Sequence, residues 1–223
     1  MTTVPPQPPP PGTINLVRGA LVTVGNGTQR NTIAFQYNPT TLRRSLQSNT
    51  VGGAEGDRAE AVRFVGAAVE TVTLDAQFDA TDGLDAGDPT TVSMGIYPTL
   101  SALALLVYPS TTDVRSAQQK LQQGQIEVMP ALAPNVLFVW GKRRVLPVRV
   151  AQMNITEQFF DSNLNPIQAT VSLTLRVMTY SDLLPSNPGY QEFLTYQQGL
   201  EAMAPEGFTN NASQVTGVDL NKI

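Results

Sequence analysis

Alternation of apolar and polar residues dominates residues 135–180. Three apolar runs are separated by two polar turns, and the third run is the most regular. Its apolar residues take every second position, and polar residues take the positions between them. A period of two places one set of side chains in a core and the other against water or a polar partner. The stretch therefore predicts an antiparallel meander, and the core face of its last strand is Ala169, Val171, Leu173, Leu175 and Val177.

The second apolar run, residues 145–156, contains a change of phase. Its early apolar residues fall on even numbers and its later ones on odd numbers. A strand changes phase only by accommodating an extra residue, so we expect a β-bulge near Ala151 and Gln152. Pro147 has no backbone N–H to donate to a ladder, which predicts an edge or a bulge at that end of the strand.

A hairpin and a further strand are predicted upstream. Residues 14–24 and 31–37 are rich in β-forming residues, and Gly25-Asn26-Gly27 between them is a strong turn signal. Residues 62–78 return to a period of two, which indicates a half-buried strand. Residues 43–60 are polar and contain glycines, so we expect an exposed loop there. The proline run at residues 4–11 predicts an extended arm, either free or lying on a neighbour.

Helical spacing is found in two places. Residues 91–108 form one predicted helix, with Pro98 in its first turn and Pro109 at its end. Residues 113–125 predict a loop or a frayed helix. A second helix is expected after Pro188-Gly189, and either the protein's own barrel or a neighbouring subunit covers its aromatic face. The elements together predict a mainly β fold: two antiparallel sheets curled into a small barrel, with one capping helix and a C-terminal helix.

Composition argues against most enzyme classes. The chain has 223 residues and contains neither histidine nor cysteine. The usual general base, the commonest metal ligand and thiolate chemistry are therefore missing. The aspartates at positions 79, 82, 85 and 88 do not have the spacing of an EF-hand loop. We expect no catalytic residue, no metal and no cofactor.

Charge limits the possible partners. Charged residues make up 14% of the chain, and the net charge is −4, against about 25% charged residues in average soluble domains. This indicates either a plain polar surface or a surface that partners cover. The acidic balance argues against nucleic-acid binding. The longest apolar run is too short to cross a bilayer, and no secretory signal is visible, so membrane insertion is not expected.

Two motif groups resemble a known family. One is Phe35-Gln36-Tyr37-Asn38-Pro39-x-x-Leu42. The other is a hairpin with a Trp140-Gly141 turn, the strand Ile155-Thr156-Glu157, the turn Asp161-x-Asn163-x-Asn165-Pro166 and the alternating last strand. Together they are similar to the tube-initiator, or spike–tube adaptor, of contractile injection systems. The resemblance covers roughly residues 14–180.

The resemblance implies a structural role and a tube-protein-like barrel. Members of this family form a ring, hexameric by resemblance, that joins the inner tube to the central spike at the baseplate and starts tube assembly. The implied partners are other copies of the chain, the tube protein and the spike protein. Such a particle would be assembled in the bacterial cytoplasm and could be released from the cell. The alternatives are an ordinary tube subunit that stacks repeatedly and, from another class, a β-sandwich ligand-binding module.

The chain departs from the resembled family at its C-terminus. Adaptors of this family often end in a LysM-like domain that binds baseplate wedge proteins. Only about forty residues follow Tyr180, below the size at which domains usually fold unaided, and they do not resemble that domain. Two alternatives follow: the chain makes no contact with the wedge, or the C-terminal helix and tail make that contact. The expected division is a proline-rich arm (1–13), a tube-protein-like β domain (14–180) and a helix with a tail (181–223).

Seven residues are candidates for contacts between subunits. The basic turn Lys142, Arg143 and Arg144 could meet acidic groups on the next ring and favour the correct register. The pair Arg43 and Arg44 lies in the predicted exposed loop. The aromatic face of the last helix adds Tyr190 and Phe193.

Overall fold

The structure, a computed structural model, describes residues 17–24, 30–52, 62–124 and 133–209. The strands in this part of the chain are β1 (Ala20–Val24), β2 (Arg30–Ala34), β3 (Leu42–Gln47), β4 (Thr50–Val51), β5 (Arg63–Phe64), β6 (Val69–Asp79), β7 (Asn135–Val139), β8 (Val145–Phe160) and β9 (Pro166–Val177). The α-helices are α1 (Thr81–Asp85), α2 (Pro89–Met94), α3 (Tyr97–Ala104), α4 (Thr111–Gln122) and α5 (Pro188–Met203), and α5 continues into a 3-10 turn, Ala204–Gly207.

Seven strands form one antiparallel sheet in the order β2-β1-β7-β8-β9-β6-β3, and β4 pairs with β5 in a second, two-stranded sheet. The prediction of a mainly β fold is confirmed. The two sheets are very unequal in size, and no strand pairing closes the large sheet into a barrel within the described residues.

The side chain of Gln36 links two distant parts of the large sheet. Its Nε2 donates to the carbonyl oxygen of Asp79 at 2.8 Å, and its Oε1 accepts from the Asp79 N–H at 2.7 Å. Gln36 follows β2 at one edge of the sheet, whereas Asp79 ends β6, the neighbour of the strand at the other edge. The sheet is therefore curled strongly enough to bring its two sides together.

The core lies on the concave side of this sheet, and the alternation predicted for β9 is confirmed. Leu173 is fully buried and lies between Leu74 of β6 and Met153 of β8. Leu100 and Leu103 of α3 are buried in the same cluster, so α3 covers the sheet. The largest fully buried aliphatic and aromatic side chains are Leu21, Phe35, Val72, Leu74, Leu103, Phe138, Leu146, Val171, Leu173, Leu175 and Val177.

The predicted bulge in β8 is confirmed, since its register with β9 shifts between Val150 and Gln152. The prediction that Pro147 marks an edge was wrong, because β8 is a central strand. The Trp140 N–H donates to the Arg144 carbonyl, so these two residues form a hydrogen-bonded pair between β7 and β8. Because hydrogen-bonded and non-hydrogen-bonded pairs alternate along an antiparallel ladder, the backbone N and C=O of Pro147 point away from β7. The Pro147 carbonyl accepts from the Met178 N–H, which lies beyond the end of β9. The missing N–H of Pro147 therefore leaves no carbonyl in the ladder without a donor.

The prediction of a single helix over residues 91–108 was wrong, because Gly95 separates α2 from α3. Gly95 has φ +57°, and a β-carbon there would collide with the carbonyl oxygen of Pro166. Only glycine fits both conditions. Residues 111–122 form a regular helix, α4, since the Ser110 hydroxyl accepts from the Asp113 N–H at 3.0 Å and caps its start.

The predicted exposed loop over residues 43–60 was also partly wrong. Residues 42–47 form β3, paired with β6 from Leu42 opposite Leu74 to Gln47 opposite Val69. The first hairpin is confirmed, with Leu21 opposite Ile33. Its turn Gly25-Asn26-Gly27, the proline-rich arm, most of residues 48–60 and the tail after residue 209 lie outside the described residues. The predicted C-terminal helix is confirmed as α5, which begins at Pro188.

Candidate assembly surfaces

Arg44 connects β3, β6 and α5. Its Nε contacts Glu70 Oε1 at 2.5 Å, and its Nη2 donates to the Tyr196 hydroxyl at 2.7 Å. Glu70 is only 5% exposed, because it occupies a core-facing position of β6 two residues before Val72. The hydrogen bond with Glu70 raises the pKa of Arg44 despite the opposing effect of burial. Arg44 is therefore engaged within the subunit and holds α5 against the sheet.

The aromatic face of α5 is divided between the core and the surface. Phe193 is 8% exposed, and its ring centroid lies 5.9 Å from that of Tyr180 and 6.4 Å from that of Tyr196. The subunit's own sheet therefore covers Phe193, which was one of the two alternatives left by the sequence. Tyr190 is half-buried at the start of α5 and retains a surface for a partner.

The basic turn between β7 and β8 is presented to solvent. Lys142 and Arg143 are exposed and Arg144 is partly buried. Gly141 has φ +72°, which the turn requires, and the Trp140 N–H donates to the Arg144 carbonyl at 2.7 Å. The Arg143 guanidinium lies 3.6 Å from the Met203 sulfur, so the turn sits beside the C-terminal end of α5. Arg43 is exposed on the opposite face of β3 from Arg44.

The sheet face opposite the core is polar over four neighbouring strands. Cross-strand partners on this face are Thr73 with Thr174, Thr174 with Gln152, and Asp75 with Ser172. The Ser172 hydroxyl donates to the Asp75 carboxylate at 2.6 Å. Most of the other groups are hydroxyls and amides: Gln47, Ser45, Thr71, Gln77, Gln152, Asn154, Thr156, Gln158, Gln168 and Thr170. This face offers hydrogen-bonding groups with few charges.

The turn between β8 and β9 is held by the Asp161 carboxylate. Its Oδ1 accepts from the N–H groups of Asn163 at 2.7 Å and Asn165 at 2.8 Å. The Asn165 side-chain amide donates to Asp161 Oδ2 at 2.8 Å and to the Ser93 carbonyl at 3.1 Å, which attaches the turn to α2. Hydrogen bonds from the Asn165 side chain and backbone lower the pKa of Asp161.

Two large apolar residues flank this turn in left-handed backbone conformations. Phe159 has φ +52° and is 68% exposed, and Leu164 has φ +62° and is 73% exposed. They are the positive-φ residues other than glycine in the part of the chain that the structure describes. We refer to residues 159–165 as the hairpin tip. The signal for this site in the sequence is the presence of large apolar side chains in a turn rich in Asp and Asn, which periodicity does not detect.

The aspartates around α1 and α2 have structural partners. The Asp79 carboxylate accepts from the Thr81 and Gln168 side chains, and the Thr81 hydroxyl is the main cause of its lowered pKa. Asp88 caps α2 by accepting from the Thr91 N–H at 2.8 Å, and its pKa is lowered chiefly by the Thr91 hydroxyl.

Among the described residues no group of three His, Cys, Asp or Glu side chains is placed to hold a metal ion. No helix in this part of the chain is both long and apolar enough to span a bilayer.

The large sheet ends in two strands that have one neighbour each. Within the described residues β2 pairs only with β1, and β3 pairs only with β6. The Phe35 N–H donates to the Gly19 carbonyl at 2.8 Å. Alternation along the ladder therefore points the backbone groups of Thr32 away from β1, towards the outer edge. Strand edges of this kind are templates for pairing with another chain.

Comparison with known proteins gives one family match. A family model described as contractile injection system tube protein matches residues 22–183. No curated protein matches the chain in sequence. Among solved structures, the virion of a native gene transfer agent particle is similar at 13% identity and a TM-score of 0.27, covering 71% of this chain and 90% of that chain. The tail of an empty gene transfer agent particle with C6 symmetry is similar at 13% identity and a TM-score of 0.28, with the same coverage.

Proposed function

The chain belongs to the contractile injection system tube protein family, and on this premise we propose that its copies form a ring at the baseplate. The ring joins the inner tube to the central spike and starts tube assembly. Within the described residues β2 and β3 each have one strand neighbour, and these two edges are the observation that supports ring formation. The same proposal includes six copies per ring and contacts with the neighbouring tube and spike proteins. It also includes contacts with the baseplate wedge through α5 and the tail.

The position of the two edges supports the proposed ring. β2 and β3 terminate the same sheet at its two sides, so β2 of one subunit can pair with β3 of the next. A contact between two different surfaces repeats from copy to copy, and it gives a ring where the rotation between neighbours closes. Closure also removes exposed edges that would otherwise promote aggregation.

Replacing Thr32 by proline tests whether β2 is the edge that pairs with the next subunit. Proline removes an N–H that points outward from β2, so the ladder with β1 keeps its hydrogen bonds. We expect the monomer's melting temperature to change little, whereas the affinity between subunits falls about tenfold per contact. Sedimentation velocity over a range of protein concentrations measures the loss of rings.

Thr32→Val is the matched control, because it keeps the backbone N–H and the β-branched shape. The test concentration is the one at which the wild-type protein is half assembled. If Thr32→Pro forms as many rings as the wild type at this concentration, β2 is not the edge that pairs with the next subunit. A fall in melting temperature equal to that of Ile33→Pro, which does break the β1 ladder, would point to misfolding of the edge.

The basic turn is proposed to set the register between stacked rings. Lys142 and Arg143 are exposed and project from the end of a hairpin, where they can meet carboxylates of the next ring. Reversing Lys142, Arg143 and Arg144 to glutamate should therefore impair particle assembly by well over tenfold, because several like charges then face each other. Particle yield by electron microscopy measures this, and an unchanged yield would remove the turn from the interface.

The second form of this function is an ordinary tube subunit that stacks repeatedly. The observation that favours it is the unlike charge of the two ends of the β8–β9 strand pair, because the charged residues of 154–170 are only carboxylates, whereas Arg149 and Arg176 are cross-strand partners near the other end. Unlike ends suit contacts between identical copies. Purified protein that grows into long tubes supports this form, whereas single rings that stop growing support the baseplate ring. Both forms share the ring and differ in what covers its two faces.

A further inference from the structure

A cleft of about 280 Å³ opens between the start of α5 and the strands β1, β7 and β8. At this point α5 lies against the sheet, because a β-carbon on Gly189 would lie 3.0 Å from the β-carbon of Pro147. An apolar concavity at the surface commonly binds a ligand or a segment of chain. Most of the walls are apolar: Val24, Pro134, Leu137, Pro147, Met178 and Leu183.

Three charged side chains at this cleft lack a partner. Arg30, Arg149 and Glu192 line it, and their side chains form no ion pair or hydrogen bond within the described residues. Arg149 also lies directly opposite Arg176 of β9, and like charges at such positions destabilise a sheet. Arg176 is paired with Asp182 at 2.9 Å, which leaves Arg149 as the uncompensated charge. A carboxylate in the cleft would offset the repulsion, and a cation would pair with Glu192.

The C-terminal segment of the chain, residues 210–223, has the composition that this cleft requires. Its charged side chains are one carboxylate and one ammonium, those of Asp219 and Lys222. The neighbours of Asp219 are Val218 and Leu220. In an extended chain the two apolar side chains point to one side and the carboxylate points to the other. Such a segment can cover apolar walls and still present its charge to the rim.

The N-terminal segment, residues 1–16, fits the cleft less well. It is rich in proline and has no charged side chain. If it covered the cleft, the arginines and Glu192 would lose contact with water and gain no partner, which is unfavourable. The charges of the cleft therefore favour the C-terminal segment as its occupant.

The C-terminal segment is long enough to reach the cleft. α5 spans 16 residues, or about 24 Å, and its first turn forms one wall of the cleft. The last described residue, Thr209, follows the other end of this helix. The chain from Thr209 to Val218 reaches up to about 30 Å when extended. The tail can therefore run back along α5 to the start of the helix.

We propose that residues 218–222 dock in this cleft of their own subunit. The two apolar side chains of the segment pack on the walls. The Asp219 carboxylate pairs with Arg149, and the Lys222 ammonium pairs with Glu192. Because cleft and occupant belong to one chain, the contact forms at a high effective concentration. It is made within one subunit and does not depend on the proposed ring.

Disulfide trapping tests this contact, because the chain contains no cysteine. In Leu183→Cys, Leu220→Cys, mild oxidation of the monomer should form an intramolecular disulfide, which requires the two residues to come close together. The control is Leu121→Cys, Leu220→Cys, whose first position is exposed on α4 and outside the cleft. It should react at least about tenfold more slowly, since no docking raises its effective concentration. Ala133→Cys, at an exposed position of the cleft, repeats the test should Leu183→Cys fold poorly.

Charge reversal tests the pairing of Asp219 with Arg149. Asp219→Arg and Arg149→Asp, each added to the trapping variant, should slow disulfide formation about fivefold, the order expected for one exposed ion pair. Combining them should restore most of the rate. Arg43→Asp, at an exposed position outside the cleft, is the matched control and should leave the rate unchanged. Non-reducing electrophoresis and peptide mass spectrometry measure the disulfide.

Four results would overturn the inference. They are equal rates at positions 183 and 121, a disulfide that forms only between two molecules, charge variants that react as fast as their parent, and faster trapping of Val4→Cys with Leu183→Cys. The last result would assign the cleft to the N-terminal segment. Because the monomer is tested, none of these results bears on ring formation.

Discussion

Arg44→Met should lower the free energy of unfolding of the isolated subunit by about 3 kcal/mol. The change leaves Glu70 without its cation in a site where only 5% of the residue is exposed. Breaking a buried ion pair by removing one partner typically costs about 3–5 kcal/mol, and the lower value applies because the Arg44 side chain is 25% exposed. Tyr196 also loses its hydrogen bond, so α5 should loosen. Urea denaturation below the assembly concentration measures the loss.

The double variant Arg44→Met, Glu70→Leu is the control for this first result. It removes both charges together, so the unpaired buried carboxylate disappears and most of the lost stability should return. If Arg44→Met alone changed the unfolding free energy by less than about 0.5 kcal/mol, the usual range for surface substitutions, the contact would not hold α5. A double variant less stable than Arg44→Met would show that Glu70 has another partner.

Leu173→Ala should lower the free energy of unfolding by a similar amount, about 3 kcal/mol. Leu173 is fully buried at the centre of β9, between Leu74 and Met153. Truncating a buried leucine loses its transfer free energy and leaves a cavity, and such changes cost about 2–5 kcal/mol. The next residue, Thr174, faces the polar side of the same strand. Thr174→Ala should therefore stay within about 0.5 kcal/mol of the wild type, and equal losses in both variants would refute the assignment of the two faces.

The sheet could be predicted where burial alone decides the pattern. From Ala169 to Val177 every second residue of β9 is apolar, and these residues are the buried ones because one face of the strand meets the core. The bulge near Ala151 followed from the change of phase in β8, since a strand has no other way to move its apolar residues to the other face. These features depend on local pattern and need no knowledge of distant contacts.

Other elements could not be predicted because distant contacts decide them. β3 contains two arginines and reads as a loop, and its pairing with β6 makes it a strand. The residue Gly95 interrupts a helical pattern only because the Pro166 carbonyl lies against it, 71 positions away in the chain by residue number. Pro147 is tolerated in a central strand because β9 ends beside it.

The candidate contact residues were predictable only in part. The exposure of Lys142 and Arg143 follows from a polar turn between two apolar strands. The role of Arg44 does not, because its partners Glu70 and Tyr196 are 26 and 152 residues away. One feature of the sequence did indicate this ion pair: Glu70 occupies one of the alternating positions of β6 that are otherwise apolar. A charged residue at a core-facing position needs a partner, and Arg44 occupies the core-facing set of positions in β3.

The central claim is that the edge strands β2 and β3 join copies of the chain into rings. Electron microscopy of the purified protein tests this claim most directly. Grids prepared at a series of protein concentrations should show closed rings of one diameter, each with a central channel. Isolated particles of the 24.0 kDa chain at every concentration, with no rings, would contradict it.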